Sequence, residues 1–190
     1  MRKIALLILA GMFFLSTPAW AKEGFYLGAG FIHSKMLNAD LDFLDPAVGL
    51  DFKAGYNVGP FAFEVNLLGS SHGDTRTGYD DADFGGLSID FRIPFTPKDW
   101  ANQVYVLFGL SGYSLTVHDP AAGEVKYSGG GENLGVGVEH YFNQNLAFNL
   151  AAVYRSIRYD KKESGGSTSD VAPKIIGDTL SVEAGLNYYF

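Results

Sequence analysis

The 190-residue chain has no cysteine, and only 18% of its residues carry a charge. Without cysteine there are no disulfides, thiol nucleophiles or cysteine-based zinc sites, so stability must come from packing and backbone pairing. Scarce charge beside 47% hydrophobic residues excludes a disordered chain. Basic residues are fewer than acidic ones, 14 Lys and Arg against 21 Asp and Glu, so nothing resembles the electrostatic footprint of a nucleic-acid binder. Beyond the N-terminus no apolar run is long enough for a membrane-spanning helix. Glycine is plentiful, at 24 residues, and aromatics reach 15%, in a length that suits one domain.

The first segment reads as an export signal. Arg2 and Lys3 precede an apolar run from Ile4 to Leu15, and Ala19-Trp20-Ala21 supplies the small-x-small pattern that a signal peptidase cuts after. Residues 1–21 are therefore expected to be cleaved, leaving 22–190 as the mature domain. That removal leaves 12 of the 14 basic residues against all 21 acidic ones, a balance of −9.

From Gly24 onward the dominant pattern is period-two alternation, which marks strands with one apolar and one polar or small face. Val48, Leu50, Phe52, Ala54 and Tyr56 alternate with Gly49, Asp51, Lys53, Gly55 and Asn57. The same pattern recurs over 61–68, 84–95, 133–142, 146–157 and 179–190, more weakly over 24–33, while 103–117 is apolar on both faces. Those eight segments are joined by longer connections at about 34–47, 69–83, 117–130 and 159–174 and shorter ones at 58–60, 95–102 and 142–145. An even strand number, with short turns at one end and long loops at the other, predicts an all-β, eight-stranded, up-and-down antiparallel transmembrane β-barrel.

A soluble barrel would turn the apolar faces inward. Here the polar faces are poor in Lys and Glu and rich in Gly and Asn, which suits a crowded lumen better than a solvated exterior. Aromatics gather at the predicted strand ends: Tyr56, Phe61, Phe95, Trp100, Tyr141, Phe142, Tyr188 and Phe190 on the short-turn side, and Tyr113, Tyr127, Tyr154 and Tyr159 on the long-loop side. They are expected to form two interfacial girdles. Asp51, Lys53, Glu64, Asp90, Arg92, Glu139, Arg155 and Glu183 then share the lumen, where five acids and three bases are expected to form a salt-bridged network that plugs it.

The ending Leu180 to Phe190, with apolar Leu186 and Tyr188 at alternate positions up to a terminal aromatic Phe190, resembles the C-terminal assembly signal of Gram-negative outer-membrane proteins. With the export signal and eight strands, the whole mature chain resembles the OmpA/OmpX-like family of small outer-membrane β-barrels. That resemblance implies an outer-membrane location and a monomer. Its implied partners are the barrel-assembly machinery at the last strand and, around the wall, outer-membrane lipid and lipopolysaccharide.

Some similar barrels modify lipid A. The deacylase type carries His and Ser two positions apart on one strand face, whereas Lys35, Asp74, Pro120 and Phe142 follow His33, His72, His118 and His140 at that spacing. No catalytic residue, cofactor or metal ligand is assigned. Asp80, Asp81 and Asp83 cluster without EF-hand spacing and read as a solvated acidic rim. Over the loops, 34–47, 69–83, 116–128 and 158–173, twelve acids face six bases. Gly129-Gly130-Gly131 and Gly165-Gly166 read as loop flexibility. The sequence predicts a non-enzymatic barrel whose surface loops carry an interaction, adhesion or envelope role; a narrow porin-like channel and a lipid-A enzyme are the alternatives.

Overall fold

The computed structural model describes residues 23–38, 41–120 and 123–190. The expected leader, 1–21, and Asp40 of the first loop lie outside the described residues. Nine strands run β1 Gly24–Met36, β2 Ala47–Asn57, β3 Ala62–His72, β4 Ala82–Pro94, β5 Asn102–Asp119, β6 Gly123–Tyr141, β7 Leu146–Ser164, β8 Ser167–Ile176 and β9 Thr179–Tyr189. Each of β1 to β7 pairs antiparallel with the next, and β9 pairs with both β7 and β1, closing a ring of eight. The expected eight-stranded transmembrane barrel is thus the fold. Among the described residues no helix is long and apolar enough to cross a membrane.

The register fixes the barrel's dimensions. Paired residues traced from Phe148 on β7 through β9 and around the ring return to β7 at Arg158, a stagger of ten residues. Eight strands with that stagger tilt by about 40° around a backbone radius of about 8 Å, which leaves room for side chains and little else.

Alternation sets the two faces. Val48, Leu50, Phe52 and Tyr56 of β2 are 47 to 64% exposed, whereas Asp51 and Lys53 between them are buried. The phase of β5, undecided in sequence, is settled by Gln103, Tyr105, Leu107, Tyr113, Leu115 and Val117 pointing inward while Val104, Phe108 and Leu110 point out. On the lumen face, glycine sits directly across from tyrosine in three register pairs, Tyr26 with Gly55, Gly86 with Tyr113 and Tyr105 with Gly137. A Cβ at any of these glycines would fall within 2.4 Å of the facing ring, so the missing side chain is the ring's space.

The structure corrects four expectations. Residues 117–130 and 159–174 are not irregular loops: β5 with β6, and β7 with β8, continue as hairpins beyond the barrel. The β7–β8 hairpin lacks hydrophobic alternation because Lys161, Lys162, Glu163 and Ser167 to Asp170 have no apolar face to bury. Gly165 and Gly166 are the two central residues of a tight hairpin turn, with φ of 56° and 78°, the left-handed pair that such a turn requires. Gly129 to Gly131 lie inside β6, next to a register shift at Ser128/Gly129, and a Cβ on Gly129 would stand 2.0 Å from the Arg158 carbonyl oxygen. Tyr113, Tyr141 and Tyr159 are not girdle residues; each is at most 3% exposed and points into the lumen. The short-turn girdle stands on Tyr56, Phe95, Trp100, Phe142, Tyr188 and Phe190, all outward, and on the long-loop side Tyr154 alone of those named is well exposed.

Candidate functional site

All eight predicted lumen residues are buried, and they fall into two ionic layers and one isolated acid. The layer nearer the short turns centres on Arg92, whose guanidinium bridges Glu64 at 3.3 Å and Glu139 at 2.9 Å. Tyrosines complete it: Tyr26 donates to Glu64 at 2.7 Å, while Tyr141 and Tyr189 donate to Glu139 at 2.9 Å. Asn187 Nδ2 donates to the same Glu139 at 2.5 Å, and the Arg92 guanidinium lies 3.9 Å from the Tyr105 ring centre.

The second layer is built around Glu183. Lys53 Nζ lies 2.9 Å from Glu183 and 3.1 Å from Asp51, and Arg155 donates to Glu183, to Ser181 and, at 2.9 Å, to Tyr113. Asp90 departs from the expectation of pairing throughout. It has no ion-pair partner among the described residues and is held by neutral donors, Ser88 Oγ at 2.6 Å and Asn133 Nδ2 at 2.9 Å. The lumen cations pair instead with Asp51, Glu64, Glu139 and Glu183.

Above these layers the lumen turns apolar. Ile32, Met36, Leu68, Phe84, Leu115 and Ile157 pack into one buried cluster with Leu41 and Leu44 of the first loop. The lumen face, polar through the two ionic layers, is thus apolar toward the long-loop end.

The rim over this cap is ordered. Thr75 donates both its backbone N–H and its hydroxyl to the Phe43 carbonyl at 2.9 Å, joining the first two loops. Arg76 is gripped between the Phe43 and Tyr79 rings, 3.7 Å from each centre, and hydrogen-bonds Asp74 at 2.6 Å. Burial pushes the Asp74 carboxyl up, but the Arg76 side-chain and backbone hydrogen bonds outweigh it and hold the group below its ordinary value. Among the described residues, β8 pairs with β7 and with no other strand.

Sequence reasoning missed the lumen tyrosines and the apolar cap. Both were readable from strand phase: Tyr141 is two residues from Glu139, Ile157 two from Arg155, and Leu68 four from Glu64, so each shares a face with a predicted lumen charge. The histidines remain apart from serine: His33, His72 and His118 contact backbone carbonyls, of Ala47, Asp45 and Asp81, and His140 contacts Asn102. No group of three metal-ligating side chains occurs among the described residues. Leu186, Tyr188 and Phe190 lie on the outer face of the closing strand, with the Phe190 N–H bonded to the Phe25 carbonyl at 3.0 Å.

Comparison with known proteins agrees with this geometry. The family model for the outer membrane protein beta-barrel domain matches residues 5–190. Among solved structures, neisserial surface protein A is 16% identical with a TM-score of 0.64, covering 88% of this chain and 97% of its own. Outer membrane protein OprG of Pseudomonas aeruginosa is 15% identical with a TM-score of 0.58, over 92% of this chain and 99% of its own. Ail, the attachment invasion locus protein of Yersinia pestis, in complex with the heparin analogue sucrose octasulfate, is 13% identical with a TM-score of 0.60, over 89% and 99%. No curated protein matches the chain.

Proposed function

Since the chain belongs to the outer membrane protein beta-barrel domain family and resides in the outer membrane, we propose that it is a non-enzymatic surface-interaction barrel, its long loops and hairpins facing the exterior. The observation that carries this reading is the contrast between a lumen filled by ion pairs and capped by apolar side chains, and a polar rim whose first two loops are tied together by Thr75, Phe43 and Arg76. Nothing in the lumen is free to move a solute or reach a substrate, whereas the β8 edge and the Arg76 clasp hold a defined surface in water. Short turns belong to the periplasmic end, which puts Gly166 and Asp80 outside and Gln144 inside.

The rim selects against one class of ligand. Ail's structure holds a polyanion, but the loops here carry twelve acids against six bases, a field that repels polyanions and favours basic surfaces or divalent bridging. Epitope tags test the arrangement in intact cells. Tags at Gly166 and Asp80 should be reached by antibody and one at Gln144 only after permeabilisation; cells carrying the barrel should adhere to a polycationic coating better than to heparin. An unreachable Gly166 tag in a strain with inserted barrel, or preference for heparin, would overturn the reading.

A further inference from the structure

Where β6 meets β7, the outward face of the barrel wall carries charge beside apolar side chains. Glu132 is outward-facing and exposed on β6, across from Leu110 on β5 and Ser156 on β7. Its apolar neighbours Leu110 and Leu134 are 69 and 62% exposed, so the carboxylate stands in the upper part of the apolar belt. One register step higher, Arg158 also points out, opposite Gly130. Neither Glu132 nor Arg158 has an ion-pair partner among the described residues. An ionisable side chain in the apolar zone is costly and marks a functional site with a partner.

The surface around this pair is concave. A trough of about 710 Å³, open to the membrane and lined by Phe91, Phe108, Leu110, Leu134 and Tyr154, ends at Glu132 and Ser156. It continues into a notch of about 380 Å³ floored by Gly130 and Gly131 and bounded by Arg158. A polar head above a narrow apolar trough is the outline of an amphiphile.

We propose that this notch binds a phosphorylated glycolipid of the outer leaflet, such as lipopolysaccharide. A phosphate would meet Arg158, sugar hydroxyl or amide donors would meet Glu132 and Ser156, and one acyl chain would lie along Phe108 and Leu134. Location argues for this occupant over a glycerophospholipid: resting on the orientation proposed above, the notch sits at the outer-leaflet end of the wall. The chemistry agrees, because the Glu132 carboxylate is a hydrogen-bond acceptor and a sugar headgroup offers several hydroxyl or amide donors to it.

The test uses the refolded mature chain in detergent micelles, titrated with lipopolysaccharide, dephosphorylated lipopolysaccharide and phosphatidylglycerol. Saturable binding of intact lipopolysaccharide is expected, weakened by about tenfold or more on dephosphorylation or Arg158→Gln, because a charge-assisted hydrogen bond is lost. Gly130→Leu should block the notch while leaving the wall intact, since a Cβ there meets only the Ser111 carbonyl oxygen at 3.7 Å. Lys98→Gln, in the short connection between β4 and β5 at the other end of the barrel, where it pairs with Glu23, should bind normally. Unchanged affinity in both Arg158→Gln and Gly130→Leu, or phosphatidylglycerol binding as tight as lipopolysaccharide, would overturn the proposal. Micelle binding does not depend on which way the barrel sits and the Gly166 tag does, so failure of the site and failure of the orientation are distinguishable.

Discussion

Arg92→Met should destabilise the barrel more than any other single lumen truncation. Arg92 is 5% exposed and, among the described residues, is the one cation paired with Glu64 and Glu139, whereas Glu183 is shared by Lys53 and Arg155. Removing one partner of a buried pair costs about 3 to 5 kcal/mol because the remaining charge stays buried without compensation. Here Glu139 keeps three donors, from Tyr141, Tyr189 and Asn187, and Glu64 keeps Tyr26, so the low end, about 3 kcal/mol, applies. With a urea slope of about 2 kcal/mol/M the midpoint falls by about 1.5 M. Trp100, exposed at the short-turn end, reports the transition by fluorescence in refolded, micelle-bound protein. Arg155→Met should shift it less, because Lys53 still neutralises Glu183. Adding Glu64→Gln and Glu139→Gln to Arg92→Met should restore most of the loss by removing the stranded charges. A wild-type midpoint for Arg92→Met, or no recovery in the triple variant, would refute the claim that this layer is held by charge compensation.

Three further outcomes follow from the same geometry. The purified barrel should show no steady ion conductance in planar bilayers, since ion pairs fill the lower lumen and Phe84, Leu115 and Ile157 close the upper; large stable single-channel currents would count against it. Deleting Phe190 should lower the amount of inserted barrel in cells without blocking export, because the deletion removes the closing strand's last bond to Phe25 and its ring contact at 5.6 Å; normal surface levels would argue against the terminal signal. Acidification should open the 73–81 loop. Asp74 has a folded pKa below its ordinary 3.8, so its contribution is fully present above that value and is lost as pH falls through the lower folded value. Hydrogen-exchange protection of this loop should drop as the pH is lowered below the ordinary carboxyl value of 3.8, and Arg76→Gln should remove the pH dependence; wild-type protection that stays the same above and below that value would sink the idea.

The wall was legible in the sequence because its signal is local. Val48 to Tyr56 and Leu180 to Phe190 each state their outward face by alternation alone, and the parity of Asp51, Asp90, Glu139 and Glu183 places four lumen acids without any knowledge of neighbours. What escaped depends on partners distant in sequence. A tyrosine at a strand end reads as a girdle residue until Glu139 is seen to accept from both Tyr141 and Tyr189. Gly129 to Gly131 reads as a flexible loop until the Arg158 backbone is found packed against it. The 159–174 hairpin escaped for the opposite reason: solvated on both faces from Lys161 to Lys174, it needs no apolar period, and its strand character comes from pairing with itself.

The glycines of β1 explain how so narrow a barrel closes around so many charges. At the seam β1 lies between β2 and β9, and its lumen face offers Gly28 and Gly30 opposite Lys53 and Asp51 on one side and Asn187 and Gly185 on the other. A Cβ on Gly30 would stand 2.6 Å from Asp51 Oδ1, and one on Gly28 would stand 2.2 Å from Asn187 Oδ1, so any larger residue displaces the neighbours' polar groups. With that face bare, Lys53 reaches across β1 to Glu183 on β9 at 2.9 Å, bridging strands that are not adjacent in the ring. The bond therefore forms only once β9 has docked against β1. Closure of the ring and the pairing of Lys53 with Glu183 become one event.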